Sequence, residues 1–238
     1  MAFAHRQIVK VGICLIALAG VALLWVPLNA GKKPPVGPTA LPDLSVDVER
    51  IGTSLYFDQK TFASTDCAVV EGCVGGTGLR KLMRFDVAIR NTGHADLVLG
   101  DPRKATSGFE VSPCHGHYHF TGFVEYKLYE YKGLDLPLGP QVGAGRKQAF
   151  CLEDYEKVPG FIGAGKGRFT CSNQGITVGW QDVYRSYLDC QWLDVTYVTP
   201  GQYWLTVTVD ALNKIAEEVE GNNTAVVLVT VPAPAPGL

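Results

Sequence analysis

The sequence predicts an all-β domain: an antiparallel β-sandwich with long loops and few short helices, stapled by disulfides. Three observations predict it. Short runs of β-branched and aromatic residues recur along the chain, each bounded by Gly, Pro or Asn. The 238 residues include 27 Gly and 14 Pro, and their placement between those runs disfavours a helical bundle or coiled coil. Six of the seven cysteines fall among the same runs, an even number that reads as three bridges in an exported domain.

Taken in order, the chain begins with His5, Arg6 and Lys10, followed by an uncharged apolar run from 11 to 30. Lys32, Lys33, Pro34 and Pro35 close that run, so a buried helix of the domain is a poor reading. Residues 1–31 read as a signal peptide or an N-terminal membrane anchor, since the run reaches the ~20 residues that span a bilayer. Cys14 lies inside this segment and accounts for the odd cysteine. Residues 32–41 form a Pro/Gly linker, 42–232 the folded domain, and 233–238 a flexible tail. Within the domain, strands are expected over 44–51, 82–89, 122–131, 203–209 and 225–231. The stretch 122–131 alternates most cleanly, with Val124, Tyr126 and Leu128 against Phe123, Glu125 and Lys127. Short helices are expected only over 180–188 and 211–219. Residues 132–182 are Gly-rich and weakly periodic, so they read as long loops held by disulfides.

Charge narrows the partners. The formal net charge is -2, from 21 basic and 23 acidic side chains, with no basic stripe, which excludes nucleic acid. Setting aside Arg6 and Lys10 leaves 19 basic against 23 acidic, a mildly acidic exported domain that suits a cationic substrate. No CxxC pair exists, so neither a zinc ribbon nor a thioredoxin-like site is supported.

Three of the five histidines lie within Cys114-His115-Gly116-His117-Tyr118-His119. A spacing of two puts His115, His117 and His119 on one face of an extended segment. Converging imidazoles suit copper, zinc or nickel, and the histidines alone do not choose among them. A straight strand separates the first and last Cα by ~13 Å, so a shared ion requires a bend, which Gly116 permits.

Four ordered motifs now carry a resemblance. Cys114–His119 is followed by Gly145-Arg146-Lys147-Gln148-Ala149-Phe150-Cys151-Leu152-Glu153-Asp154. Then come Asp182-Val183-Tyr184 and Leu188-Asp189-Cys190-Gln191-Trp192-Leu193-Asp194-Val195, and finally Pro200-Gly201-Gln202-Tyr203 with Glu217, Asn222 and Asn223. Together they resemble the lysyl oxidase family of copper amine oxidases over roughly residues 41–232. The resemblance implies that His115, His117 and His119 ligate copper. It also implies that Lys147 and Tyr184 combine into lysine tyrosylquinone, with Tyr187 and Lys166 the nearest competitors. Asp182 is the candidate base or orienting group. The implied bridges are Cys67–Cys114, Cys73–Cys190 and Cys151–Cys171. Animal members carry further cysteines, two of them paired with each other. Trp180 stands at one of those two places, so their joint loss leaves no orphan.

A calcium site is implied at Asp43, the Leu44 carbonyl, Glu217, Asn222 and Asn223, with one family aspartate replaced by Val219 and Glu218 or Glu220 as substitutes. Oxygen donors of this kind are what calcium takes. A family histidine downstream of the copper motif falls on Glu125 or Tyr126. The implied activity is oxidation of peptidyl-lysine or another primary amine by O2 to an aldehyde, with release of ammonia and hydrogen peroxide. The expected protein is periplasmic or extracellular, secreted or anchored through residues 11–30. The competing reading is a non-catalytic exported β-sandwich that binds metal or acts in adhesion.

Overall fold

The alternation around Tyr126 becomes an inner strand of a sheet. Val124–Glu130 turns Val124, Tyr126 and Leu128 inward, all nearly inaccessible, and Glu125 and Lys127 outward. It pairs antiparallel with Gly201–Val209, setting Tyr126 opposite Val207 and Leu128 opposite Leu205. Thr224–Val231 and Gln141–Ala144 complete a four-stranded sheet as its two edges. A second four-stranded sheet has the order Leu44–Val46, Val87–Asn91, Trp180–Tyr184, Glu156–Lys157. Its Val87 and Ile89 enter one apolar core with Tyr126, Leu128, Leu205 and Val207, each fully buried. At about 1.5–3 kcal/mol for each such side chain, this shared core is what holds the two layers together. Among the described residues the sheets are antiparallel and open, with no closed barrel.

The chain is described by a computed structural model covering residues 40–105, 108–112, 114, 116–133, 138–145 and 151–233. The leader, most of the linker and residues 234–238 of the tail lie outside these residues. A third sheet joins Trp192–Asp194, Gly78–Arg84 and Tyr56–Phe62. Beneath it a satellite core packs Phe62, Leu82 and Trp192 against Cys73 and Cys190. Two two-stranded pairs remain: the long-range pair Leu97–Gly100 with Gln174–Ile176, and the hairpin Phe109–Val111 with Tyr118–Phe120. Cys67 bridges Cys114, Cys73 bridges Cys190 and Cys151 bridges Cys171, the same three pairs the resemblance implies.

Four expected elements differ. The first strand stops at Val46, because Asp47 accepts from the Arg50 amide at 3.1 Å and caps the helix Val48–Ser54. The run 82–89 divides at Phe85-Asp86 into Gly78–Arg84 and Val87–Asn91, which belong to different sheets. Residues 180–188 are not helical: Trp180–Tyr184 is a strand, with Asp182 opposite Ile89 and Tyr184 opposite Val87. No helix forms over 211–219. There the Asp210 carboxylate accepts the Lys214 and Ile215 amides at 3.0 and 2.7 Å, fixing a side-chain-closed turn in place of a helical ladder. The second short helix is instead Cys67–Val70.

Candidate active site

The histidine segment bends where the sequence allows it. Gly116 adopts φ +70, and its amide donates to the Ser112 carbonyl at 2.9 Å while the Ser112 amide donates to the His117 carbonyl at 3.0 Å. Only a residue without Cβ enters that left-handed conformation without cost. The bend leaves His117 at the protein surface and His119 fully buried in Tyr118–Phe120. Their rings nevertheless converge, with centroids 4.7 Å apart and planes at 60°. The Cys67–Cys114 bridge anchors the entry to the bend. His115 lies outside the described residues.

Facing the hairpin, Trp180–Tyr184 projects Asp182 and Tyr184 from one face, as a period of two demands. Both are buried, at 2% and 4% exposure, and each lies close enough to shift the other's titration. Burial raises the Asp182 carboxyl to about 8, with the nearby Glu153 charge adding to the rise. Burial and the neighbouring Asp182 also push the Tyr184 phenol well above its ordinary value. Glu153 is raised by its own half-burial and by Asp154, and the His117 imidazole partly offsets this. A cavity of about 230 Å³ brings these groups together, lined by His117, Glu153, Asp182 and Tyr184, with Tyr155 and Tyr187 among its other walls. Lys147 lies outside the described residues.

Tyr187 does not compete with Tyr184 for the interior, being 71% exposed three residues further on. Lys166 sits elsewhere, on the wall of a separate cleft with Lys157, Arg168 and Trp180. Of the two candidates for the displaced histidine, Glu125 turns outward to Lys127. Tyr126 turns inward, and its hydroxyl donates to Gln191 Oε1 at 2.9 Å. Gln191 in turn donates to the Phe85 carbonyl at 3.0 Å. Gln191 and Glu153, which stand within the motifs but carry no expected role, are neighbours of the site. The clean alternation of 122–131 already placed Tyr126 with the core.

The donor chemistry fits copper. Two imidazoles meet in a domain whose described cysteines are all committed to bridges, so no thiolate competes for a soft metal. Two other close groups, Glu71 with Cys73 and Cys190, and Glu153 with Cys151 and Cys171, contain only bridged sulfurs.

The residues of the calcium expectation also gather. Glu217 accepts from the Leu44 amide at 2.6 Å and from Asn223 Nδ2 at 2.7 Å, and Asn222 Nδ2 donates to Asp43 at 2.9 Å. Burial raises Glu217 to about 7. Among the described residues Asn223 Oδ1 is buried without a hydrogen-bond partner. Glu218 is engaged by His94 and the Leu41 amide, whereas Glu220 accepts from the Glu217 amide. Glu220 is therefore the acidic side chain next to this cluster, and Val219 points half to solvent.

Comparison with known proteins follows the same outline. Lysyl oxidase homolog 2 of Homo sapiens is 34% identical over 194 residues, covering 76% of this chain and 23% of that protein. The Bos taurus homolog 2 is 35% identical over the same span, and Bos taurus lysyl oxidase homolog 4 is 34% identical. The chain thus spans about a quarter of the length of the relatives it matches. Among solved structures, a CARDB domain from Pyrococcus furiosus overlays with a TM-score of 0.30 at 14% identity, covering 81% of this chain and 90% of that one. That score is too low to bear on the fold. The lysyl oxidase family profile matches residues 42–231, nearly the whole described domain, and the chain belongs to that family.

Proposed function

We propose that the protein is an exported, copper-dependent, protein-lysine 6-oxidase-like amine oxidase that turns primary amines, including peptidyl-lysine, into aldehydes. The observation that carries this reading is the convergence of His117 with the buried Asp182–Tyr184 pair around one cavity. His115, His117 and His119 would hold Cu2+, and Lys147 with Tyr184 would form lysine tyrosylquinone. Together these groups supply the capacity to oxidise a C–N bond, with O2 as acceptor and ammonia and hydrogen peroxide as co-products.

The remaining steps belong to the chain. Glu153, half-buried on the cavity wall near His117, attracts a protonated amine. The cavity walls narrow its approach to the Tyr184 ring. Asp182 then removes a proton from the carbon next to nitrogen. Its elevated basicity suits that role, because a carboxylate reluctant to stay charged is a stronger base. Its place on the same strand face, two residues from Tyr184, also sets it beside the ring.

Bridged cysteines accord with an oxidising compartment, periplasmic or extracellular. Residues 1–31 are proposed as the export signal or anchor and 32–41 as the linker. Among the described residues no helix is long and apolar enough to cross a membrane, and the run 11–30 lies outside them. The cluster of Asp43, Leu44, Glu217, Asn222 and Asn223 is the proposed place for Ca2+.

The test loads purified protein with copper under air, stains for quinone, and seeks a Lys147–Tyr184 crosslink by mass spectrometry. The crosslink and stain are expected in the native chain. Lys147→Arg is expected to retain copper and lose phenylhydrazine reactivity. Copper binding with both residues unmodified would refute the oxidase and leave the non-catalytic metal-binding module.

A further inference from the structure

Tyr187 stands out among the residues of the cavity. It lines the same space as His117, Asp182 and Tyr184, yet 71% of it is exposed. A lone exposed tyrosine is ordinary on a protein surface. This one is carried on a turn whose backbone is held from several sides. The Leu188 amide donates to the Arg185 carbonyl at 3.0 Å, closing the turn. The Ser186 amide donates to Asp86 at 2.7 Å, and Arg84 donates to the Ser186 carbonyl at 3.0 Å. Cys190, two residues past the turn, is bridged to Cys73. The ring is thus presented to solvent from a fixed backbone, and ordering it against a ligand costs only its own two side-chain torsions.

A second aromatic ring lines the same cavity. Tyr155 is 47% exposed, and the Arg185 guanidinium lies 5.3 Å from its ring centroid. Arg185 is itself tied to Asp86 at 3.0 Å and to Glu156 at 3.7 Å. Its charge is therefore spent within the protein, and it stiffens Tyr155. Two ring walls, one stiffened by a paired cation and one exposed on a fixed turn, flank a cavity of about 230 Å³. That volume corresponds to about eight waters at ~30 Å³ each. It accepts an unbranched aminoalkyl arm and leaves the body carrying the arm outside, against the rings.

We propose that Tyr187 is a specificity-determining residue that holds the substrate body, and that the site favours an aminoalkyl arm with an aromatic or apolar group beside its point of attachment. The inference rests on the amine-oxidase reading for its chemistry and on the geometry of the mouth for its selectivity. Offset or edge contacts between aromatic rings provide the preference.

The test uses two short peptides that differ only in the residue next to a single lysine, Phe in one and Gly in the other. The copper-loaded enzyme is expected to release hydrogen peroxide from the Phe peptide with a kcat/KM about fivefold higher. Tyr187→Ala is expected to bring the ratio close to one, and Tyr187→Phe to restore it. A wild-type ratio near one, or a ratio that survives Tyr187→Ala, overturns the proposal. Dissociation constants of both peptides, measured on the full chain without copper, separate this proposal from the oxidase reading. A binding preference that Tyr187→Ala abolishes, with no peroxide from either peptide, supports the role of Tyr187 and refutes the oxidation of peptidyl-lysine. Equal dissociation constants alongside peroxide release refute the role of Tyr187 alone.

Discussion

Removing the Cys73–Cys190 bridge, as Cys73→Ala/Cys190→Ala, provides the most quantitative test of how the site is held. The bridge closes a ring with a sequence separation of 117, the longest of the three. A ring of ~100 residues restricts the unfolded chain by about 4.7 kcal/mol in the chain-entropy account. The other two bridges offer shortcuts that roughly halve the effective ring, and each halving removes only about 0.6 kcal/mol. About 4 kcal/mol therefore remains, before any loss of packing against Phe62 and Trp192 in the satellite core. For a unit of this size, 1 kcal/mol moves Tm by about 2–4 °C, so the expected drop is about 8–16 °C. Thermal unfolding followed by circular dichroism, without reductant and without copper, measures it. The bridge also holds Cys190 at φ +67, a left-handed conformation uncommon for a residue with a Cβ. Its release should loosen the Arg185–Leu188 turn, seen as lost protection of the Ser186 and Leu188 amides from hydrogen exchange. A Tm drop below about 3 °C with those amides still protected would refute the assignment of this bridge as the anchor of the turn.

Two further outcomes follow from the hydrogen bonds around the site. Tyr126→Phe leaves Gln191 Oε1 buried without its donor, and urea unfolding should show a loss of about 1–3 kcal/mol; no loss would mean the oxygen finds another partner. Asp86→Asn should destabilise the protein by about 1 kcal/mol at pH 7, allowing for partial solvent contact. Although burial raises the Asp86 carboxyl, hydrogen bonds from Ser186 and Arg185 outweigh it and hold the group below its usual 3.8. A depressed acid contributes stability above its unfolded value and loses it as pH falls through the folded one, so the gap between native and variant should close below about pH 4. A gap constant from pH 3 to 7 would show that the effect is not the charge.

The strands of the Val124–Glu130 sheet could be read from the sequence because one side of each faces water, and alternation survives where one face is wet. The second sheet was harder to read because its central strands are covered on both sides. Val87, Ala88 and Ile89 are all fully buried, and Arg84 and Asp86 nearly so; the run 82–89 therefore shows no clean alternation and nothing in its periodicity marks the corner at Phe85-Asp86. That corner is set by distant contacts, including the Asp86 amide on Ser54 Oγ at 2.8 Å. The stretch 180–188 misleads for a related reason. Trp180, Val183, Tyr184, Tyr187 and Leu188 recur at helical spacing. The strand nevertheless forms because Gln181 and Asp182 are buried as well, Gln181 donating to Glu156 at 2.8 Å. The ladder to Val87–Asn91 satisfies a backbone that lies between two neighbouring strands.

That difference between helix and strand decides how the site works. On a helix, residues two apart point about 200° away from each other, whereas residues three apart share a face. Asp182 and Tyr184 would then diverge, and Tyr187 would stand beside Tyr184 as a second phenol in the same environment. On the strand, Asp182 and Tyr184 share the buried face, and the chain leaves the sheet before it reaches Tyr187. The motif D-x-Y therefore has a geometric meaning only in extended backbone: the acid and the phenol must meet, and a spacing of two accomplishes that in a strand. The same geometry separates two tyrosines that composition treats alike. Tyr184 is buried beside a carboxyl in the cavity that His117 also lines, and Tyr187 is placed where something arriving from outside can touch it.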